Sequence, residues 1–279
     1  MEIWQAIVLG AIQGFAEFLP VSSSGHLILM GRWLGVNEDA GGLFFDIMLH
    51  IGTLIPVFIV FFKDILGLFK RTEKTLSDGT VKKSFLFNEK MWFLVVATIP
   101  AALTGVLLGD FIEGAFYRGD ILSAILLGAT FLLTASELFL SEIISKKRKD
   151  SLPLSYKSSL VMGLAQSIAI VPGLSRSGTV ISSGCIYGLK REDNASFAFL
   201  MSIPVILGAA AVSALDVIDS GIVVDAVPLI FGILTSAVTG YIAIKFMLKV
   251  IKKANYKWFS LYLVIMAILS IVTSVAFGI

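Results

Sequence analysis

Long stretches without charged residues dominate the chain and predict membrane-spanning helices. A helix rises 1.5 Å per residue, so about 20 apolar residues are needed to cross roughly 30 Å of hydrocarbon. The stretches that approach or exceed this length are 43–62, 91–109, 120–140, 195–215, 226–247 and 258–278. The sequence therefore predicts about six transmembrane helices.

Four further apolar stretches are too short to span a bilayer. They cover 3–16, 18–31, 158–171 and 177–189. Apolar runs of about 10–14 residues are typical of re-entrant or interfacial segments, and a cluster of Pro, Gly and Ser separates the members of each pair. We therefore expect two re-entrant helical hairpins beside the six spans. The expected fold class is an all-α polytopic membrane protein.

The composition supports a membrane location and excludes several other classes. Of the 279 residues, 57% are hydrophobic and only 15% are charged, whereas soluble proteins carry about 25% charged residues. The net charge of +2 gives no support for a nucleic-acid partner. The single cysteine, Cys185, excludes a disulfide framework or a cysteine metal cluster within one chain.

The distribution of Lys and Arg predicts the orientation in the membrane. Nineteen of the 22 lie in four segments, 63–90, 145–157, 189–193 and 245–257. Basic loops face the cytoplasm, which places both termini outside the cytoplasm. The first hairpin then enters from outside and the second from the cytoplasm. The expected location is the cell membrane.

An internal repeat relates the two halves of the chain. Residues 10–25 align without a gap on 163–178, with six identities in sixteen positions. Each half, approximately 1–144 and 155–279, has a hairpin followed by three spans, so the second copy enters the membrane upside down. Inverted repeats typically place their site near the midplane. We expect one integral membrane domain, 1–279, with the turns at 20–25 and 172–178 in contact near the bilayer centre.

The two copies differ at the positions that carry reactive groups. Glu17 aligns with Ile170, Ser23 with Arg176, and His26 with Thr179. Charged side chains at membrane depth are costly and usually functional. The structural alternative is a buried ion pair of Glu17 with Arg176 that only closes the two hairpins, and such a pair would need neither the serines nor the histidine.

Both turns have features of a phosphate site. A helix N-terminus with free N–H groups binds anions, and a guanidinium beside it adds a planar fork suited to phosphate oxygens. A carboxylate and an imidazole can transfer protons or hold a metal, and a serine hydroxyl can act as nucleophile. The serines flanking Ser23, which are Ser22 and Ser24, are expected to cap the helix, as are Ser175 and Ser177 in the second copy.

The two turns resemble the signature motifs of bacterial undecaprenyl-pyrophosphate phosphatases, the bacitracin-resistance family. The matching sequences are QGFAEFLPVSSSGHL at 13–27 and PGLSRSGT at 172–179. The resemblance implies hydrolysis of undecaprenyl pyrophosphate to the monophosphate carrier lipid of peptidoglycan synthesis, and with it bacitracin resistance. The family's acidic motif reads Gln13 and Glu17 here, which weakens a mechanism with two carboxylates and makes Glu17 the central acid.

The resemblance places the family's serine, histidine and arginine on Ser23, His26 and Arg176. We expect Ser23 to be the nucleophile with Glu17 or His26 as its base, and attack by His26 or by water as the alternatives. A divalent cation, Mg²⁺ or Ca²⁺, would be shared between Glu17 and the substrate phosphates. Asp46 and His50 would form an outer layer, although packing explains Asp46 equally well. The expected substrate-binding residues are Gln13, Ser22, Ser24, Gly25, Gly173, Ser175, Ser177, Gly178 and Thr179.

The main alternative function is transport of a polyprenyl-phosphate lipid by the same inverted-repeat architecture. Ser23 and His26 favour hydrolysis, because recognition alone would need basic residues without a group that transfers protons. The expected partners are a polyprenyl pyrophosphate substrate and membrane lipids. A homodimer is compatible with the sequence, which does not fix the oligomeric state.

Overall fold

The computed structural model describes residues 1–36, 40–70, 73–75, 81–83, 87–148, 151–220, 225–253 and 256–277. Within these ranges the helices are α1 (Ile3–Phe18), α2 (Ser23–Leu34), α3 (Ala40–Val60), α4 (Phe62–Leu68), α5 (Glu89–Phe116), α6 (Ile121–Lys147), α7 (Tyr156–Ile168), α8 (Arg176–Tyr187), α9 (Arg191–Ser220), α10 (Ala226–Lys253) and α11 (Lys257–Phe277). Two three-residue strands, β1 (Glu73–Thr75) and β2 (Val81–Lys83), pair antiparallel between α4 and α5.

The helices α3, α5, α6, α9, α10 and α11 are long and apolar enough to cross a membrane. The protein is therefore an all-α, multi-pass membrane protein with six spans, as predicted. Capping fixes where the spans begin. Asn88 accepts a bond from the Lys90 N–H at 3.1 Å before α5. Asp120 accepts one from the Ser123 N–H at 2.8 Å before α6, and this bond lowers the pKa of the Asp120 carboxyl.

The four short helices repeat at a fixed spacing in the chain. Helix α8 begins and ends 153 residues after α2, the offset that aligns the sequence repeat. Both helices end at a glycine in the left-handed conformation, Gly35 with φ of 65° and Gly188 with φ of 103°. The internal repeat of the sequence is thus also a repeat of secondary structure.

The first short helix of each half packs against a membrane span of the other half, an arrangement we call the exchanged packing of the halves. Helix α1 of the first half packs on α10 of the second, and α7 of the second half packs on α5 of the first. Gly10 lies against the backbone of Gly232, and its repeat partner Gly163 lies against the backbone of Ala97. Small residues allow such close approach of membrane helices. The largest buried apolar cluster includes residues of both halves.

Candidate active site

The tips of the two short helix pairs touch each other. Ser177 Oγ donates to the Leu19 carbonyl at 3.1 Å, and the Gly173 N–H donates to Ser24 Oγ at 3.4 Å. Ser24 and Ser177 occupy matched positions of the repeat, and each contacts the backbone of the opposite tip. The predicted contact of the two turns is therefore confirmed, while their depth in the bilayer stays a prediction.

One serine in each turn caps the following helix. Ser22 Oγ accepts from the Gly25 N–H at 3.2 Å before α2, and Ser175 Oγ accepts from the Gly178 N–H at 3.1 Å before α8. These caps agree with the prediction. Ser22 has a φ of 70°, the only positive φ of a non-glycine residue among those that the structure describes. This uncommon conformation is one that clusters at functional sites.

The other two predicted caps are wrong. Ser24 and Ser177 do not satisfy the first turn of their own helices, because Ser22 and Ser175 already do so in the contacts described. Their hydroxyls bond to the opposite tip, as given above, and each also lies near its capping serine, at 3.4 Å for Ser22–Ser24 and 3.3 Å for Ser175–Ser177. These serines therefore hold the two halves together at the site.

Glu17, at the end of α1, is the centre of the polar cluster. Its side chain is only 4% exposed. Oε2 accepts from Ser23 Oγ at 2.7 Å and from Gln13 Nε2 at 3.0 Å, and it lies 3.4 Å from His50 Nε2. Oε1 pairs with the guanidinium of Arg176. A buried carboxylate needs such partners to stay charged, and the contact with Ser23 points the serine hydroxyl hydrogen at a base.

Arg176 brings a positive charge from the second half to this cluster. It is the first residue of α8, directly after the capping Ser175. Its side chain is 19% exposed and pairs with Glu17. The guanidinium therefore lies beside a helix N-terminus, where both favour an anion. The predicted meeting of Glu17 and Arg176 is confirmed.

His26 and Thr179 occupy matched positions of the repeat, and both bond to residues other than Glu17, Ser23 and Arg176. His26 Nδ1 lies 2.7 Å from the Ser22 carbonyl, and Nε2 lies 2.6 Å from the Tyr262 hydroxyl. Thr179 Oγ1 donates to Glu137 Oε2 at 2.6 Å. Both ring nitrogens of His26 are thus engaged away from Ser23, so the structure pairs the serine with Glu17 and not with His26.

His50 reaches the cluster from the first span. Its Nε2 faces Glu17, and its Nδ1 lies 2.8 Å from the carbonyl of Asp46, which fixes the ring. The sequence placed His50 in an outer layer, and the structure brings it into direct contact with the central acid. Asp46 supports the ring through its backbone.

A cavity of about 210 Å³ opens at this cluster. Its polar wall is formed by Glu17, Ser23, Ser24, His50, Gln166, Ser175, Arg176 and Ser177, and the rest by apolar residues of α1, α3, α9 and the 169–175 turn. A larger groove of about 890 Å³ between α6 and α11 has none of the predicted site residues in its described lining. In the smaller cavity a serine hydrogen-bonded to a carboxylate and an arginine paired with that carboxylate lie beside an apolar wall.

Three polar residues of interest were not identified from the sequence as site candidates. Glu137 lies in the middle of α6, and a carboxylate inside a span is itself a signal of function. Gln166 is the repeat partner of Gln13, a signal that was present in the alignment. Tyr262 lies 236 residues from His26, and no local pattern connects them.

Comparisons with known proteins agree on one family. The family model described as "Bacitracin resistance protein BacA" matches residues 6–269, which include both turns. Relatives named undecaprenyl-diphosphatase come from Methanosphaera stadtmanae, with 39% identity over 283 residues and 99% of each chain covered, and from Carboxydothermus hydrogenoformans, with 37% identity over 279 residues and 99% covered. Another, from Rubrobacter xylanophilus, is 38% identical over 266 residues, which is 94% of each chain.

Proposed function

The chain belongs to the bacitracin resistance protein BacA family, and we propose that it hydrolyses undecaprenyl pyrophosphate to undecaprenyl phosphate and inorganic phosphate. This reaction recycles the lipid carrier of peptidoglycan synthesis and gives resistance to bacitracin. The observation that carries the proposal is the convergence of Glu17, Ser23 and Arg176 in one cavity. The names of the relatives support it independently.

The cavity suits an amphipathic substrate. Its polar wall offers the Arg176 guanidinium and hydroxyls to a diphosphate, while its remaining wall consists of Ala, Ile, Leu and Val side chains. A polyprenyl diphosphate has the same division into an anionic head and an apolar chain. The hydrogen bond from Ser23 to Glu17 favours hydrolysis over transport of the lipid, because binding alone would not need a hydroxyl aimed at a base.

In the proposed mechanism, Arg176 binds oxygens of the diphosphate in place of Glu17. This exchange removes the positive partner of Glu17 Oε1, and Oε2, which already accepts from Ser23, takes the serine proton as Oγ attacks the terminal phosphorus. The new Oγ–P bond forms while the bond from that phosphorus to the bridging oxygen breaks, and undecaprenyl phosphate leaves with the bridging oxygen. Glu17 gives the serine proton to the departing undecaprenyl phosphate and so becomes a carboxylate again. It then takes a proton from the water that attacks the phosphoserine, and it passes this proton to Ser23 Oγ as the Oγ–P bond breaks and phosphate leaves. Arg176 stabilises the phosphoryl oxygens in both steps.

The described residues around Glu17 supply too few ligands to hold a divalent cation, Mg²⁺ or Ca²⁺, alone. Such a cation fits here only if the substrate phosphates supply further ligands. Among the described residues no group of three or more His, Cys, Asp or Glu side chains is close enough to hold a metal. The buried Gln13 Oε1, on the residue that contacts Glu17, has no hydrogen-bond partner among them. Glu17 and Gln13 would therefore hold the cation together with substrate phosphates, and the cation would neutralise phosphate charge.

The orientation, the re-entrant hairpins and the oligomeric state also belong to the proposal. We infer an inverted repeat in a bacterial plasma membrane, with both termini outside the cytoplasm. The matched ends of α2 and α8, the exchanged packing of the halves and the four basic segments support this inference. A homodimer remains a prediction.

Arg176→Lys should lower turnover by about a hundredfold or more, since lysine keeps the charge but loses the planar fork that holds two phosphoryl oxygens. The measurement is phosphate release by purified protein in detergent micelles. Arg32→Lys is the matched control, because Arg32 bonds to Phe116 and Ser123 outside the cavity. A fall in turnover no greater than that of the control would show that charge alone suffices at position 176.

Gln13→Glu should lower the divalent-cation concentration needed for half-maximal turnover. A second carboxylate beside Glu17 attracts a hard cation more strongly than an amide does, although the bond from Gln13 Nε2 to Glu17 is lost. The measurement is phosphate release during titration with Mg²⁺ and with Ca²⁺ after chelation. An unchanged cation dependence would contradict a cation held by Glu17 and residue 13.

A further inference from the structure

Gln166 is a buried amide that lines the cavity and has no hydrogen-bond partner in the part of the chain that the structure describes. It lies near the end of α7 and is 1% exposed. Neither Nε2 nor Oε1 has a partner among the described residues. Buried polar groups are almost always hydrogen-bonded, and an unpaired one destabilises the protein. Gln166 therefore retains two donor hydrogens and one acceptor at the wall of a site proposed to bind phosphates.

The repeat explains why this amide is unpaired. Its partner Gln13 donates to Glu17, one helical turn further along α1. The residue one turn after Gln166 is Ile170, which offers no acceptor and also lines the cavity. The second half thus keeps the amide and lacks the carboxylate that binds it in the first half.

We propose that Gln166 is a substrate-binding residue whose Nε2 donates to a phosphoryl oxygen of the diphosphate. This inference rests on the proposed function. Arg176 offers a fork that binds two oxygens, and a phosphoryl group presents more oxygens than the fork can engage. A neutral amide supplies a further donor from α7 without adding charge. Its Oε1 remains free to accept from a water or from a protonated phosphoryl oxygen.

Gln166→Leu tests the inference, since leucine has a similar size and forms no hydrogen bond. The affinity for inorganic pyrophosphate should fall about tenfold, the effect of one hydrogen bond to a charged ligand. The KM for undecaprenyl pyrophosphate should rise to a similar extent, with kcat changed by less than about threefold. Pyrophosphate affinity is measured by titration calorimetry on purified protein, so it is independent of turnover.

Two further variants separate binding from a structural role. Gln166→Glu keeps the shape but repels phosphates, so its affinity should fall further than that of the leucine variant. Gln5→Leu is the control, because Gln5 bonds to the Leu34 carbonyl and is absent from the described lining of the cavity; its affinity should equal that of the wild type. Without ligand, the melting temperature of Gln166→Leu should equal or exceed the wild-type value, because no buried amide is left unpaired.

The outcomes distinguish this inference from the function on which it rests. A wild-type protein that releases no phosphate from the lipid would overturn the proposed function. An active wild-type protein together with a Gln166→Leu variant of unchanged pyrophosphate affinity and KM would overturn the role of Gln166 alone. A leucine variant that loses affinity but also melts well below the wild type would show a structural role and would contradict the inference as well.

Discussion

Ser23→Ala should reduce phosphate release by purified protein by at least about a thousandfold, because the variant lacks the oxygen that attacks phosphorus. The expectation rests on the 2.7 Å hydrogen bond from Ser23 Oγ to Glu17 Oε2 and on the position of Ser23 in the cavity wall. Incubation of the wild type with substrate and rapid acid quenching should also trap phosphate on Ser23, detectable by mass spectrometry.

The neighbouring serine provides the control. Ser22→Ala removes the cap of α2 and should lower stability by about 1 kcal/mol, while turnover at temperatures below melting should fall far less than in Ser23→Ala. If Ser23→Ala retains near-normal turnover, then water or His26 attacks the phosphorus. Attack by His26 would first require the attacking ring nitrogen to leave its contact with Ser22 or Tyr262.

Glu17→Gln should lower turnover about a thousandfold, which is the middle of the range for loss of a proton-transfer group. Glutamine preserves the size of the side chain and can still accept a bond from Ser23. It cannot take the serine proton, and it leaves Arg176 without its ion partner. The measurement is kcat for phosphate release, with pyrophosphate binding to show that the site remains intact.

Glu142→Gln is the matched control for this substitution. Glu142 is also a buried carboxylate in a helix of the membrane region, it accepts from the Tyr256 N–H and pairs with Lys146, and the described lining of the cavity does not include it. Turnover should stay within about threefold of the wild type. Equal losses in the two variants would indicate a general effect of removing carboxylates and would contradict a special role of Glu17.

Much of the fold follows from the sequence, because length and apolarity determine which helices can span a bilayer. The six spans and the four short helices were predicted within a few residues, and the repeat predicted which turns meet. Helices α5 and α6 extend past their predicted ends at 109 and 140. Apolarity marks only the part of a helix in hydrocarbon, and the backbone continues helically into the polar interface.

Contacts across the two halves could not be predicted from local patterns. The equivalence of Ser24 and Ser177 was visible in the alignment, but their bonds to the opposite tip depend on how closely the tips approach. His26 was expected near Ser23, and a separation of three positions on α2 does place the two on the same side of the helix, about 60° apart around the axis. This spacing does not fix the direction of the ring, and both ring nitrogens of His26 bond elsewhere, to Ser22 and Tyr262. A neighbour in the sequence can therefore face another part of the protein, as His26 does toward Tyr262.

The most direct test of a single site built from both halves is a double-mutant cycle on phosphate release with Glu17→Gln and Arg176→Lys. Groups that act together in one step give non-additive losses. We expect the double variant to lose about a thousandfold, no more than Glu17→Gln alone. Losses that multiply to about a hundred-thousandfold would show that the two residues act independently and would contradict a shared site.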